Sequence, residues 1–172
     1  MEFDEVVKKR YSVRKYDPRP VEDWKIERIL EAGRLAPTGK NSQCQRIYVL
    51  KSPEALEKIR ANCSMTFGAP LVMLIFAKKD EAWVSRFTGR NIAETDTSIV
   101  TDHMMLEATD LGLGTCWVGY FDPVPICEAL GIHEGLTLML PVGLEIELRE
   151  GGAEGNAMKG RVLARQLTHA LP

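Results

Sequence analysis

Seven consecutive apolar residues, L-V-M-L-I-F-A from Leu71 to Ala77, run between Pro70 and the charged triplet Lys78-Lys79-Asp80. A strand with one wet face alternates apolar and polar side chains, whereas an unbroken apolar run of this length marks a strand buried on both faces. The chain must therefore build a sheet around this segment and cover it from two sides. At 172 residues it is long enough to do so in one domain, expected to span 1–172.

The flanking pattern supplies the covering elements. Phe3, Val6, Val7 and Tyr11 recur at helical spacing, which predicts a short helix ending near Arg10 with one face inward. Pro18 and Pro20 force an extended link, and Val21, Ile26, Ile29, Leu30 and Leu35 mark the buried stripe of a second helix. R-I-Y-V-L, Arg46 to Leu50, reads as a strand, and Ser52-Pro53 as the cap and first residue of a helix burying Leu56 and Ile59. Residues 79–90 read as a lid or a short helix. From Asn91 to Leu111 the pattern is helical and unusually apolar, so that helix is buried in the domain or against a second subunit, with its methionines as core filler. Gly112 and Gly114 stop it, Thr115 to Tyr120 reads as a strand, Val124 to Leu130 as a helix ended by Gly131, and Thr137 to Gly143 as a last strand. Beyond that the chain becomes glycine-rich and polar, with Lys159 and Arg161 late.

Charge narrows the functional classes. Lys+Arg of 22 against Asp+Glu of 24 leaves a net charge of -2, which argues against a general nucleic-acid or anionic-membrane surface. No apolar run reaches the ~20 residues of a membrane span, and M-E-F-D-E opens with acids, so a soluble cytoplasmic protein is expected. Cys44, Cys63, Cys116 and Cys127 form no C-x-x-C pair, and only three histidines are scattered along the chain, so no metal site is expected.

The basic residues must then act locally. In R-Y-S-V-R-K-Y, Arg10, Ser12 and Arg14 occupy alternate positions, which in an extended segment share one face and suit the oxygens of a single phosphate. On the residues alone this is either a phosphate grip or a solvated basic patch. Two nucleotide motifs fail. Gly33 to Lys40 has five residues between its glycines where a P-loop has four, and Asn41 replaces the Ser or Thr. G-L-G-T-C-W lacks the third glycine of the dinucleotide fingerprint and follows a helix rather than a strand. Cys116, with no basic neighbour in sequence, reads as an inert strand cysteine.

Four pieces in this order, R-Y-S-V-R-K-Y, L-A-P-T-G-K-N-S-Q, the stretch D-T-S-I-V-T-D-H-M-M-L-E-A-T-D-L-G-L-G-T-C-W-V-G and a late K-G-R, resemble the flavin-dependent nitroreductase family, in its short single-domain members. The resemblance implies an α+β, three-layer fold in which a central mixed, mainly antiparallel β-sheet is flanked by helices. It implies a homodimer with FMN bound at the subunit interface, reduced by NADH or NADPH and reoxidised by an acceptor such as a nitroaromatic or quinone. Carried over by position, Arg10 and Ser12 would meet the phosphate, Arg14 the ribityl chain or ring edge, and Arg161 with Lys159 would complete the phosphate site. Pro37, Thr38, Gly39 and Asn41 would reach the same flavin from the partner, and Cys116, Trp117, Val118 and Gly119 would pass under its reactive edge. No protein side chain is then needed as a catalytic group, because the flavin carries the hydride chemistry. The tail, 145–172, would pack on the partner subunit.

The chain departs from the family where Cys44 and Gln45 replace Pro-Trp and where Leu144 and Glu145 follow Gly143. Those changes bear on the substrate side of the pocket. Dehalogenation, flavin destruction or dehydrogenation on the same scaffold, and a flavin-binding protein without turnover, are the alternatives.

Overall fold

The structure is a computed structural model that describes residues 1–132 and 136–143. Helices α1 (Phe3–Lys9) and α2 (Asp23–Leu35) precede strand β1 (Gln45–Leu50), helix α3 (Pro53–Asn62) and strand β2 (Leu71–Ala77). The long helix α4 (Ala93–Asp110), strand β3 (Gly114–Thr115), helix α5 (Pro123–Leu130) and strand β4 (Leu136–Gly143) follow. The four strands form one sheet in the order β1-β2-β4-β3, each pair antiparallel. A parallel bridge from Ser12 to Thr115 adds the N-terminal segment beside β3 and makes the sheet mixed.

β2 is the middle layer's anchor, and every one of its residues is buried. Leu71, Met73 and Ile75 point into a core shared with Ile29 of α2 and with Val100, Met104 and Ala108 of α4. Val72, Leu74 and Phe76 enter the opposite core with Leu56 and Ile59 of α3 and Ile126 of α5. One apolar strand thus serves two cores through its two-residue period, each large side chain contributing ~1.5–3 kcal/mol on burial. The fold is α+β in three layers.

Local chemistry sets the helix ends. Ser52 accepts the Ala55 N–H at 3.2 Å with Pro53 at the first helical position, and Asp122 accepts that of Val124 at 3.0 Å. Gly112 and Gly131 end α4 and α5 with φ of 77° and 67°, where other residues are strained. Buried threonines on α4 are satisfied within the helix, Thr97, Thr101 and Thr109 each donating to the carbonyl four residues back. Gly33 admits α4 to α2, for a Cβ there would lie 2.9 Å from Met104 Sδ.

Three expectations are corrected. On α1 only Val6 is buried, while Phe3 is 71% and Val7 48% exposed, and on α2 Leu35 is 66% exposed. These side chains lie off the faces by which α1 and α2 pack on α4. The strand expected over Thr115–Tyr120 is two residues, Gly114–Thr115. Cys116 and Val118 still turn inward on either side of Trp117, and the alternation ends before Tyr120, which shares their parity yet is 84% exposed. The segment from Lys79 to Asn91 holds no helix: Val84 bridges Asn91, and the Ser85 N–H bonds the Arg90 carbonyl at 2.9 Å, closing a short hairpin tipped by exposed Phe87.

Candidate functional site

The predicted residues gather into two groups, one near each end of α4. At the C-terminal end, α1 stops at Arg10 and the chain runs extended past β3. The Val13 N–H bonds the Thr115 carbonyl at 2.9 Å, which sets Ser12 beside Thr115. Glycine is required opposite, because a Cβ on Gly114 would lie 2.5 Å from Val13 Cγ2. Tyr16, buried, donates to the carbonyls of Val13 at 3.0 Å and Pro141 at 3.3 Å and ties the segment to β4.

Arg10, Ser12 and Arg14 all act electrostatically on Cys116, the residue after Thr115. Burial pushes the Cys116 thiol up, while Arg14, a hydrogen bond with Ser12, and Arg10 act in the opposite direction. Burial dominates, so this is an unreactive thiol, as expected from its sequence setting. Arg14 Nη1 donates to the Ser12 carbonyl at 3.1 Å and its guanidinium stands 6.0 Å from the Phe67 ring centroid. Arg19, Arg28, Arg34 and Arg46 each hold a carboxylate. Among the described residues Arg10 and Arg14 hold none, and neither do Arg60, which bonds the Gly68 and Ala69 carbonyls, or Arg86 and Arg90 of the exposed hairpin. Beside Arg10 and Arg14 the Thr115 hydroxyl is buried without a partner. Two uncompensated cations, one serine and one orphaned hydroxyl form a site short of an anion.

At the N-terminal end of α4 lies the turn that carries Pro37, Thr38, Gly39 and Asn41. Gly39–Asn41 forms a single 3₁₀ turn, with Lys40, Asn41 and Gln43 at φ of 54°, 54° and 48°. Three non-glycine residues in the left-handed region within four positions is a strained backbone, and such strain concentrates at ligand clamps. Thr38 Oγ1 accepts the Gln43 N–H at 3.1 Å, and Asn41 Oδ1 accepts Gln43 Nε2 at 3.2 Å. The Gly39 N–H donates to Asp96 Oδ1 at 3.1 Å. A Cβ on Gly39 would lie 2.5 Å from Ile92 Cδ1 and 3.1 Å from Trp83 Cβ, so turn, hairpin and helix start are packed together.

The arginine group borders Thr109, whereas the turn is bonded to Asp96, thirteen helical residues or about 20 Å away. Within one chain the two groups do not meet. The cleft beside Arg10, walled by Lys9, Thr109 and Gly112, holds about 70 Å³, well below the ~300 Å³ of a typical ligand pocket. A larger cleft of about 460 Å³, between Pro18, Lys51, Arg60 and Pro70, includes none of the predicted residues. Trp117, half-exposed, and Gly119 follow Cys116 at the surface, and Val118 is buried. Lys159, Arg161 and the tail lie outside the described residues.

Sequence reasoning passed over Asp96, Thr115 and Tyr16. Asp96 had a signal: with Val100, Met104 and Ala108 it forms one i, i+4 stripe, an acid on the buried side of a helix.

A model of the nitroreductase family matches residues 7–65 and 60–144. A protein of Archaeoglobus fulgidus named as an NADH dehydrogenase/NAD(P)H nitroreductase is 30% identical over 150 residues, 78% of this chain and 79% of the relative. Among solved structures, a nitroreductase family protein from Clostridium difficile 630 is 42% identical, with a TM-score of 0.82 over 88% of both chains. An FMN-dependent nitroreductase from Clostridium difficile R20291 is 26% identical, with a TM-score of 0.72 over 85% of this chain and 89% of the other.

Proposed function

The chain belongs to the nitroreductase family, an NAD(P)H-dependent oxidoreductase of the nitroreductase type, and we propose that it works as a homodimer that holds FMN between its subunits. NADH or NADPH reduces the bound cofactor and leaves, and an acceptor such as a nitroaromatic or quinone then takes the electrons. The observation that carries this reading is the pair of guanidiniums, Arg10 and Arg14, without carboxylates and next to the orphaned Thr115 hydroxyl.

A monophosphate satisfies that group. Arg10 and Ser12 bind its oxygens, Arg14 reaches the ribityl chain or ring edge, and Lys159 and Arg161 complete the site. The ring supplies hydride transfer when bound. Cys116, Trp117, Val118 and Gly119 offer backbone N–H groups beside its reactive edge. Pro37, Thr38, Gly39 and Asn41 stand about 20 Å off along α4, so the turn that meets a given flavin belongs to the partner subunit, with Asn41 turning its amide to the pyrimidine edge. The exposed Phe3 and Val7 of α1 support a second copy as their cover. Among the described residues no helix is long and apolar enough to cross a membrane.

The test is the visible spectrum of the purified protein, followed anaerobically as NADPH and then NADH are added. A flavin spectrum that bleaches with nucleotide and returns on addition of a quinone or nitroaromatic is expected. A colourless protein that fails to take up added FMN overturns the reading.

A further inference from the structure

Asp96 is 2% exposed, on the first turn of α4, yet only one of its carboxylate oxygens has a partner. Oδ1 accepts the Gly39 N–H, and Oδ2 is buried with no hydrogen bond. A buried carboxylate is costly unless something compensates it. Here the start of α4 supplies a favourable dipole and the Gly39 amide a charge-assisted bond. Around it, the Cys44 thiol is fully buried and pushed up first by that burial and then by the Asp96 charge. A cost of this kind serves no evident packing purpose, since an apolar side chain would continue the stripe of Val100 and Met104.

What Asp96 touches is the strained turn. Lys40, Asn41 and Gln43 all hold positive φ, a conformation that would relax if the turn were released. Thr38 and Asn41 tie the turn to itself through Gln43, and the Gly39 bond fixes it to α4. The geometry points to Asp96 as a positioning residue: its buried carboxylate clamps the Gly39–Asn41 turn to the start of α4 and so fixes where Asn41 presents its amide to the flavin of the partner subunit. The role toward flavin rests on the proposed function, whereas the hold on the turn does not.

Two measurements on the full chain separate these claims. Amide hydrogen exchange compares wild type with Asp96→Ala and Asp96→Asn. The alanine variant speeds exchange over Gly39–Gln43 by about tenfold or more and leaves Leu71–Ala77 unchanged, and the asparagine variant, which keeps an oxygen for the Gly39 amide, restores most of the protection. Unchanged exchange in the turn, or an equal rise across Leu71–Ala77, overturns the clamp. Flavin titration then uses FMN and riboflavin. Asp96→Ala weakens both by the same factor, about tenfold, and in an Asn41→Ala background that loss shrinks to less than about twofold. Additive losses overturn the link to Asn41. If wild type binds neither flavin, the proposed function fails, and exchange in the turn still decides whether Asp96 is its clamp.

Discussion

The two ends of α4 solve different problems. At its C-terminal end Arg10, Ser12 and Arg14 lie on an unstrained extended segment, and what singles them out is charge left without a counter-charge beside a buried, unpartnered hydroxyl. At its N-terminal end the turn after Thr38 carries a single cation, Lys40, which is exposed. Its distinction is shape: three left-handed residues held by one amide on a buried carboxylate. Charge is a property of side chains and survives modest movement. A strained backbone is specific only while a remote group holds it.

That contrast can be broken most sharply at the charged end. Replacing Arg10 by alanine is expected to weaken FMN about tenfold or more while riboflavin, which lacks the phosphate, changes by less than about threefold. Fluorescence titration reads both, and equal losses would mean that Arg10 does not face a phosphate. A smaller effect concerns how that end is tied to the sheet. Tyr16→Phe removes the bonds to the Val13 and Pro141 carbonyls and should cost about 1 kcal/mol in urea unfolding at neutral pH. Burial raises the Tyr16 phenol well above its ordinary value of 10.0. Wild type keeps this stabilisation below that value and loses it as pH rises further, because the unfolded phenol ionises first. The gap between wild type and Tyr16→Phe should therefore narrow above about pH 10, and a constant gap would place the phenol in water. The smallest effect belongs to the strained end. Lys40→Gly relieves a left-handed residue but loosens the unfolded chain, so stability should move by no more than about 0.5 kcal/mol. A loss above about 2 kcal/mol would show that the Lys40 side chain, and not its neighbours, holds the turn.

The same contrast explains what could be read from the sequence. The apolar run of β2, the Ser52-Pro53 start and the glycine stops at Gly112 and Gly131 are local rules and reappear in the structure as written. The charged group was open to proposal from the sequence because alternation puts residues 10, 12 and 14 on one face of an extended segment. Phe3, Val7 and Leu35 misled because periodicity marks an apolar side without saying what covers it. The strand over Thr115–Tyr120 was too long because alternation reports facing and not ladder partners. The strained turn was least legible, since its partner Asp96 lies 57 positions on from Gly39 and no local pattern joins them. Lys159 and Arg161 fall outside the described residues.

The 18-residue α4 is also a measure of what this lineage can alter. Adding or losing one residue between Asp96 and Thr109 turns everything beyond it by about 100° and shifts it by ~1.5 Å, so both ends cannot keep their registration through such a change. Length variation among natural homologues should therefore be absent from α4 and accumulate in the hairpin around Phe87, whose tip is open to solvent and bears no such phase.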